Sequence, residues 1–207
     1  MKPIQHFEAV WERAEELVVI HSYLVANVSG AMPTDELLRS EWAMRVSALD
    51  LFMHELAAQR MLEIFEGSRA ASTAFQRFRI SLDTHTRVTA NPLGAAAAFD
   101  LEVREQLGIQ TFQEPDKIAE AVRLCCDLEL WNEVALHLGA TQATKQVAAK
   151  SLKRSISAVV QRRNKIVHEG DLQPGSPRTP WAVSRVDLLD VKTLIERVVR
   201  AIDALVA

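Results

Sequence analysis

The feature that most constrains this fold is the recurrence of apolar residues at spacings of three and four along most of the chain. Such spacing places apolar side chains on one face of an α-helix, whereas a half-buried strand alternates apolar and polar residues. No alternating run competes with the helical pattern. The sequence therefore predicts an all-α fold, an antiparallel bundle of about five to seven helices forming a single domain over residues 1–207.

The composition agrees with one globular domain. The chain has 207 residues, of which 48% are hydrophobic and 25% charged, and this length can bury one substantial core. No segment approaches the length of a membrane span, and the N-terminus lacks the apolar stretch of a signal peptide. The only cysteines, Cys125 and Cys126, are adjacent, which favours small core residues over a disulfide framework. We therefore expect a cytoplasmic protein without a membrane partner.

The first predicted helix covers roughly residues 4–28. Its seam residues are Phe7, Trp11, Ala14, Val18, Val25 and Val28. His21 fills the gap in this seam, where a lone histidine is more often a core residue than a ligand. The turn at residues 29–34 ends the helix, and Thr34 or Asp35 is the expected cap of the next one.

Six further helices are predicted after this turn. They cover roughly residues 35–65, 74–78, 93–108, 117–138, 141–169 and 187–205. Gly67, Gly139 and Gly170 follow three of them, as expected for helix C-termini. A proline-rich loop, residues 171–181, separates the last two helices. A loop in this position often forms one wall of a site.

The predicted helix at residues 141–169 is strongly basic, although the net charge of the chain is −3. From Gln142 to Val167 it carries seven basic residues and no acidic one. These are Lys145, Lys150, Lys153, Arg154, Arg162, Arg163 and Lys165. A basic helix of this kind can attract phosphate. The alternative is a solvated helix face whose charge is neutralised by acidic neighbours.

An arginine interrupts the apolar seam of this basic helix. The seam residues are Ala149, Leu152, Ile156, Val159 and Ile166, and Arg163 occupies the position missing between the last two. Because arginine cannot shed its charge, its burial without a partner is costly. We therefore expect either a groove or a bound anion at Arg163.

Arg163 belongs to the segment RRNKIVHEGD, residues 162–171, which also contains Asn164 and His168. Asn164 and His168 are four residues apart on the helix and can touch. At about 100° per residue, however, Arg163 and His168 lie about 140° apart. Their convergence needs either a distorted last turn or a second copy of the motif across a twofold interface.

These residue types suit phosphodiester cleavage in RNA without a metal or other cofactor. Arg163 offers a fixed fork of donors for phosphate oxygens. Histidine titrates near neutrality, which suits His168 to general acid–base work, and Asn164 can orient His168 or the phosphate. Further phosphate contacts are expected from Lys165, Arg162 and Arg154. The alternative is a histidine that caps the helix C-terminus beside a surface arginine.

Asp50 and His54, on the second predicted helix, form another candidate pair. They are four residues apart beside the apolar stripe and can hydrogen-bond along the helix surface. In the functional interpretation they support the Arg163 site from a neighbouring helix. The alternative is an ordinary polar pair within one helix.

The segment RRNKIVHEGD resembles the R-x4-H signature of the HEPN superfamily, in which a polar residue, often asparagine, follows the arginine. Arg163, Asn164 and His168 match that signature. The segments ALDLFMHELAAQ and TFQEPDKI, the Trp131 region and the final helix resemble the ribonuclease L-related (RiboL-PSP) branch. The similarity covers about residue 35 to the C-terminus, so residues 1–34 can be a family-specific addition.

This resemblance implies an all-α domain, usually a homodimer, that acts as a metal-independent endoribonuclease in toxin–antitoxin, abortive-infection or other defence systems. Arg163 would then stabilise the scissile phosphate and His168 would act as acid–base. The implied partners are RNA and, for a toxin, a cognate antitoxin protein. Other members have lost activity, so the alternative is a non-catalytic HEPN module that binds nucleotides, RNA or proteins.

Overall fold

The computed structural model describes residues 1–28 and 33–207, most of which are helical. Within these residues lie eight α-helices, namely α1 Pro3–Asn27, α2 Asp35–Phe65, α3 Leu82–Ala90, α4 Ala95–Gly108, α5 Pro115–Cys125, α6 Leu130–His137, α7 Lys145–Glu169 and α8 Arg185–Val206. The described part of the chain contains no strand, only an isolated antiparallel bridge between Leu172 and Pro180. The all-α prediction is confirmed, with one helix more than the predicted range allows.

Of the four long helices, α1 runs antiparallel to α2 and α8, and α2 runs antiparallel to α7. Between α1 and α8, Glu8 pairs with Arg200 at 2.8 Å and Ser22 accepts a hydrogen bond from Arg185 at 2.6 Å. Residue numbers therefore rise along one helix as they fall along the other. The same order relates α1 to α2 and α2 to α7. No described helix is both long and apolar enough to cross a membrane.

One hydrophobic cluster forms the core and gathers residues from α1, α2 and α4 to α8. The predicted stripe of α2 is buried at Val46, Leu49, Met53 and Leu56. On α7 the seam residues Ala149, Ile156 and Val159 are also buried. The N-terminal helix contributes Phe7 and Trp11 to the same cluster. Residues 1–34, interpreted above as a possible family-specific addition, thus contribute to the same core as the rest of the chain.

The predicted seam of α1 is wrong beyond His21. His21 is buried, as predicted, but Val25 is 60% exposed and Val28 is exposed as well. The reason is the antiparallel register with α2, in which Glu15 pairs with Arg45 and His6 with Glu55. This register places Asp35, the first residue of α2, about level with Val25. The last residues of α1 therefore extend beyond the start of α2. The predicted turn at residues 29–34 falls on Ser29–Met32, which lie outside the described residues.

The middle of the chain differs most from its predicted helices. The spacing predicts no helix at residues 82–90, where α3 lies, and the predicted helix at 74–78 is a single 3-10 turn at Phe75–Arg77. Ser81 caps α3 by accepting a hydrogen bond from the Thr84 amide. Hydrogen bonds from Thr84, Gln106 and Ser81 hold the pKa of the Glu102 carboxyl at about 2, so α3 and α4 are joined by a charged carboxylate.

The single helix predicted at residues 117–138 is two helices, α5 and α6. The break follows Cys126, whose backbone is extended, and Asp127 accepts hydrogen bonds from the amide and hydroxyl of Thr73 at 3.0 and 2.9 Å. Neither cysteine forms a disulfide, and burial raises the pKa of the Cys125 thiol to about 12. Cys125 is therefore a core residue, as predicted.

Candidate active site

The RRNKIVHEGD motif occupies the last two turns of α7 and the residues that follow. The helix remains α-helical through Glu169 and ends where Gly170 adopts φ +62°. The amides of Gly170 and Asp171 both donate to the carbonyl oxygen of Lys165. Asp171 has φ +56°, a left-handed conformation that aspartate tolerates better than most residues. The chain thus reverses direction directly after the motif.

Asp171 fixes this reversal. Its side chain is 0% exposed, and its Oδ2 accepts hydrogen bonds from Arg39 Nε at 3.1 Å and Arg162 Nη2 at 2.7 Å. Arg39 also donates to the Trp181 carbonyl oxygen at 2.7 Å, and Arg162 to that of Ala182 at 3.0 Å. One buried carboxylate and two guanidinium groups therefore join α2, α7 and the following loop.

These contacts give Arg162 a different place from the predicted one. Its guanidinium is directed to Asp171 and the loop carbonyls, so it supports the end of α7 instead of facing solvent as a phosphate contact. Local sequence pattern does not point to Arg39 or Asp171, because their contact joins residues 132 positions apart. The sequence feature that could have pointed to Asp171 is its position directly after Gly170, the glycine that ends a basic helix.

Arg163 lies half-buried at the edge of the core, where the interrupted seam predicts it. Its Nη1 donates to Asn164 Oδ1 at 3.0 Å, whereas its Nε is buried without a hydrogen-bond partner. Arg60 and Arg162 also have unpartnered Nε atoms, but both bind carboxylates through other nitrogens. Among residues 1–28 and 33–207 no carboxylate lies within ion-pair distance of Arg163. Its charge therefore has no opposite charge in ion-pair distance among these residues.

His168, Lys165 and Arg154 are exposed, and their side chains make no hydrogen bond or ion pair with the described groups. Lys165 Nζ lies 6.0 Å from the centre of the Trp181 ring, on the loop that follows the motif. Arg154 is nine residues before Arg163, about 180° round the helix. The structure therefore brings Lys165 and His168 to the exposed end of α7 but directs Arg154 away from Arg163.

Asp50 and His54 do not join this site. Asp50 accepts hydrogen bonds from the Phe112 amide at 2.6 Å and from Gln113 Nε2 at 2.8 Å, and the His54 ring lies 4.7 Å from the Phe112 ring. Asp50 is also eleven residues along α2 from Arg39, a rise of about 16 Å. The pair holds the turn before α5, and it is not placed to support Arg163.

Comparisons of this chain with protein-family models, curated proteins and solved structures give no match. The HEPN resemblance of the motif therefore stays a prediction. Within the described residues no group of three or more histidine, cysteine, aspartate or glutamate side chains is arranged to hold a metal ion.

Proposed function

We propose that the chain is a metal-independent endoribonuclease of the HEPN type, with an active site formed by two copies of the α7 motif. The observation that carries this proposal is the state of Arg163. It is half-buried, its Nε has no hydrogen-bond partner, and no carboxylate of the described chain lies in ion-pair distance. A guanidinium in this state is suited to a planar oxyanion such as phosphate, which it can bind with two parallel hydrogen bonds.

Each motif residue then has a role that its contacts support. Arg163 binds the scissile phosphate and stabilises the negative charge that grows there as the 2′-oxygen attacks phosphorus. Asn164 Oδ1 already accepts a hydrogen bond from Arg163, so Asn164 orients the guanidinium. His168 is exposed and unpartnered among the described groups, which leaves its ring free to take the 2′-hydroxyl proton or to protonate the departing 5′-oxygen.

A dimer supplies what one chain lacks. Because α7 is regular through Glu169, Arg163 and His168 of one chain stay about 140° apart. Exposed apolar side chains surround the motif, at Val167, Leu172 and Trp181. Exposed apolar groups next to a functional motif favour burial against a partner, and a twofold interface would place Arg163 of one chain opposite His168 of the other.

The direct test is cleavage of RNA by the purified full chain in the presence of a chelator. We expect His168→Ala and Arg163→Ala each to lower the rate by about 100-fold or more. Arg197→Ala, which removes an exposed arginine of α8, is the matched control and keeps the wild-type rate. Circular dichroism checks that all variants are folded. Equal rates in wild type and both motif variants would contradict the proposal, and RNA binding without any cleavage would favour the non-catalytic module.

A mixing experiment tests the shared site. If each site takes Arg163 from one chain and His168 from the other, equal amounts of the two inactive variants regain roughly a quarter of wild-type activity, because half of the dimers are mixed and each mixed dimer has one intact site. No recovery after exchange of subunits would place both residues in one chain. A toxin role with an antitoxin partner rests only on the family resemblance, and an adjacent small gene would support it.

A further inference from the structure

A second basic region lies in the first half of α7, away from the motif. There α5, α6 and α7 enclose a cleft of about 430 Å³, a volume in the range of small-ligand pockets. Three cationic side chains line it, from Arg123 of α5 and from Lys150 and Lys153 of α7. The Arg163 site does not use any of these cations.

The charges of the cleft leave a net attraction for anions. Lys153 is paired with Asp116 at 2.7 Å, and this hydrogen bond lowers the pKa of the Asp116 carboxyl. Arg123 and Lys150 have no carboxylate within ion-pair distance in the described chain, and Glu129 is the other acid that lines the cleft. With the Lys153–Asp116 pair neutral, two free cations face one carboxylate. An anion can therefore bind between Arg123 and Lys150.

The remaining lining suits a flat, partly apolar group joined to that anion. Leu128 and Trp131 form an apolar floor, and the Trp131 indole N–H already donates to the Pro115 carbonyl oxygen at 3.0 Å. The side-chain amides of Asn132 and Gln146 line the cleft and make no hydrogen bond with described groups. Apolar walls with a few convergent polar groups are typical of ligand sites. A nucleotide, which joins a phosphate to a flat base, matches these cationic, apolar and amide side chains.

The cleft lies on the same side of α7 as Asn164 of the motif. Eleven residues separate Lys153 from Asn164, which on a regular helix is a rotation of about 20° and a rise of about 16 Å. Ser157, between them on this side, is bound to Glu114 of the loop before α5 at 2.9 Å, so a strand that joins the two sites passes over this loop. A single strand that leaves the motif along this side spans that distance with about five stacked nucleotides.

We propose that this cleft binds a nucleotide of the RNA strand that is cleaved at the motif, about five nucleotides from the scissile phosphate. This inference rests on the proposed function, since it needs RNA at Arg163. Cleavage then requires a substrate long enough to reach both sites. The same chemistry would fit a free mononucleotide, and the experiment separates the two sources.

Equilibrium RNA binding tests the cleft without depending on cleavage. The full chain carrying His168→Ala is titrated into fluorescent single-stranded RNAs of about 3 and about 12 nucleotides, and with a labelled mononucleotide. The cleft variant adds Arg123→Glu and Lys150→Glu. The matched control adds Arg13→Glu and Arg197→Glu, which reverse two exposed arginines of α1 and α8 that lack carboxylate partners in the described chain.

We expect the cleft variant to weaken binding of the longer RNA by about tenfold or more and to reduce its salt dependence, with little effect on the shorter RNA. The control should stay within about twofold of the parent. Equal losses in cleft variant and control, or no loss in either, would overturn the proposal. Mononucleotide binding as tight as that of the longer RNA, lost in the cleft variant, would also overturn it in favour of a free nucleotide.

The outcome is distinguishable from failure of the proposed function. If wild type does not cleave RNA but the cleft variant still loses affinity for the longer RNA, the nuclease assignment fails and the cleft remains an RNA site. If cleavage depends on Arg163 and His168 while the cleft variant binds normally, only the cleft assignment fails. Because Arg123 and Lys150 are exposed, their replacement should leave the melting temperature unchanged.

Discussion

Two arginines of this fold lie against the core in opposite surroundings. Arg45 of α2 is 0% exposed, and its Nη2 donates to Glu15 at 2.7 Å and to Glu41 at 2.9 Å while its guanidinium lies 4.2 Å from the centre of the Trp11 ring. Among the described residues, Arg163 of α7 has only the amide oxygen of Asn164. The fold itself neutralises Arg45, whereas no described carboxylate neutralises Arg163. In the function proposed above, that contrast separates a structural arginine from a binding one.

The largest effect is expected from Arg45→Ala. It leaves the buried Glu41 carboxylate without its partner and removes the packing on Trp11, so we expect a loss of about 3–5 kcal/mol in the free energy of unfolding. Urea denaturation measures it, with Arg13→Ala as a control that removes an exposed arginine of α1. A loss below about 1 kcal/mol would show that Arg45 is not important for the stability of the fold.

Asp171→Asn tests whether the support around the motif resembles the Arg45 site. The substitution keeps the shape of the side chain but removes the charge that Arg39 and Arg162 share. Because hydrogen bonds to charged groups contribute about 1.5–3 kcal/mol, we expect the unfolding free energy to fall by about 2 kcal/mol. Thermal unfolding checks this value. An unchanged melting temperature would show that the end of α7 is held by other contacts.

Arg163→Met should have a much smaller effect on stability. Methionine fills an apolar seam position without leaving a carboxylate unpaired, so the unfolding free energy should stay within about 1 kcal/mol of wild type or rise. The same urea experiment measures it, alongside the RNA cleavage assay, in which this variant should be inactive. A loss as large as that of Arg45→Ala would make Arg163 a structural residue and break the comparison.

The smallest effect is a pH dependence that we expect of the Arg45 site and not of the Arg163 site. Burial opposes ionisation of Glu15, but hydrogen bonds from Lys192 and Arg45 outweigh it and lower the pKa of the Glu15 carboxyl. Since the folded pKa lies below that of the unfolded chain, this stability is present above about pH 4.3 and is lost as the pH falls towards the folded value. With Glu15 39% exposed, screening limits the effect to under about 1 kcal/mol.

We therefore expect Glu15→Gln to reduce the loss of stability on acidification below about pH 4.3, as measured by urea midpoints at several pH values. Arg163→Met should leave the slope in this window unchanged, because no described carboxylate pairs with Arg163. A change of slope in Arg163→Met would reveal a carboxylate that depends on Arg163, and the two arginine sites would then be alike.

The long helices and α4 follow from local pattern, whereas α3 and the break between α5 and α6 do not. The bounds of α2 agree with the predicted Asp35–Phe65, because its apolar stripe is unbroken and Gly67 adopts a positive φ just beyond its end. The break between α5 and α6 depends on the contact of Asp127 with Thr73, 54 positions away. Such contacts leave no periodic trace in the sequence, so one continuous pattern predicts one helix where the fold has two.

In the candidate site, too, some features follow from local sequence pattern and others depend on contacts between distant residues. The half-buried position of Arg163 is predictable from the interrupted seam, because the seam is a property of one helix. The roles of its neighbours are not, since Arg162 and Arg163 have the same chemistry and differ only in what α2 and the loop present to them. Arg162 meets the buried Asp171 carboxylate, and Arg163 meets Asn164.

The buried carboxylate of Asp171 also affects how the end of α7 would meet a ligand. Because two guanidinium groups from different helices hold it, the motif and the Trp181 segment are fixed to α2 before any ligand binds. The conformational entropy of these residues is then lost during folding and not during binding. Lys165 and His168 project from a preorganised surface, so in the proposed function only the RNA strand would lose conformational freedom on binding.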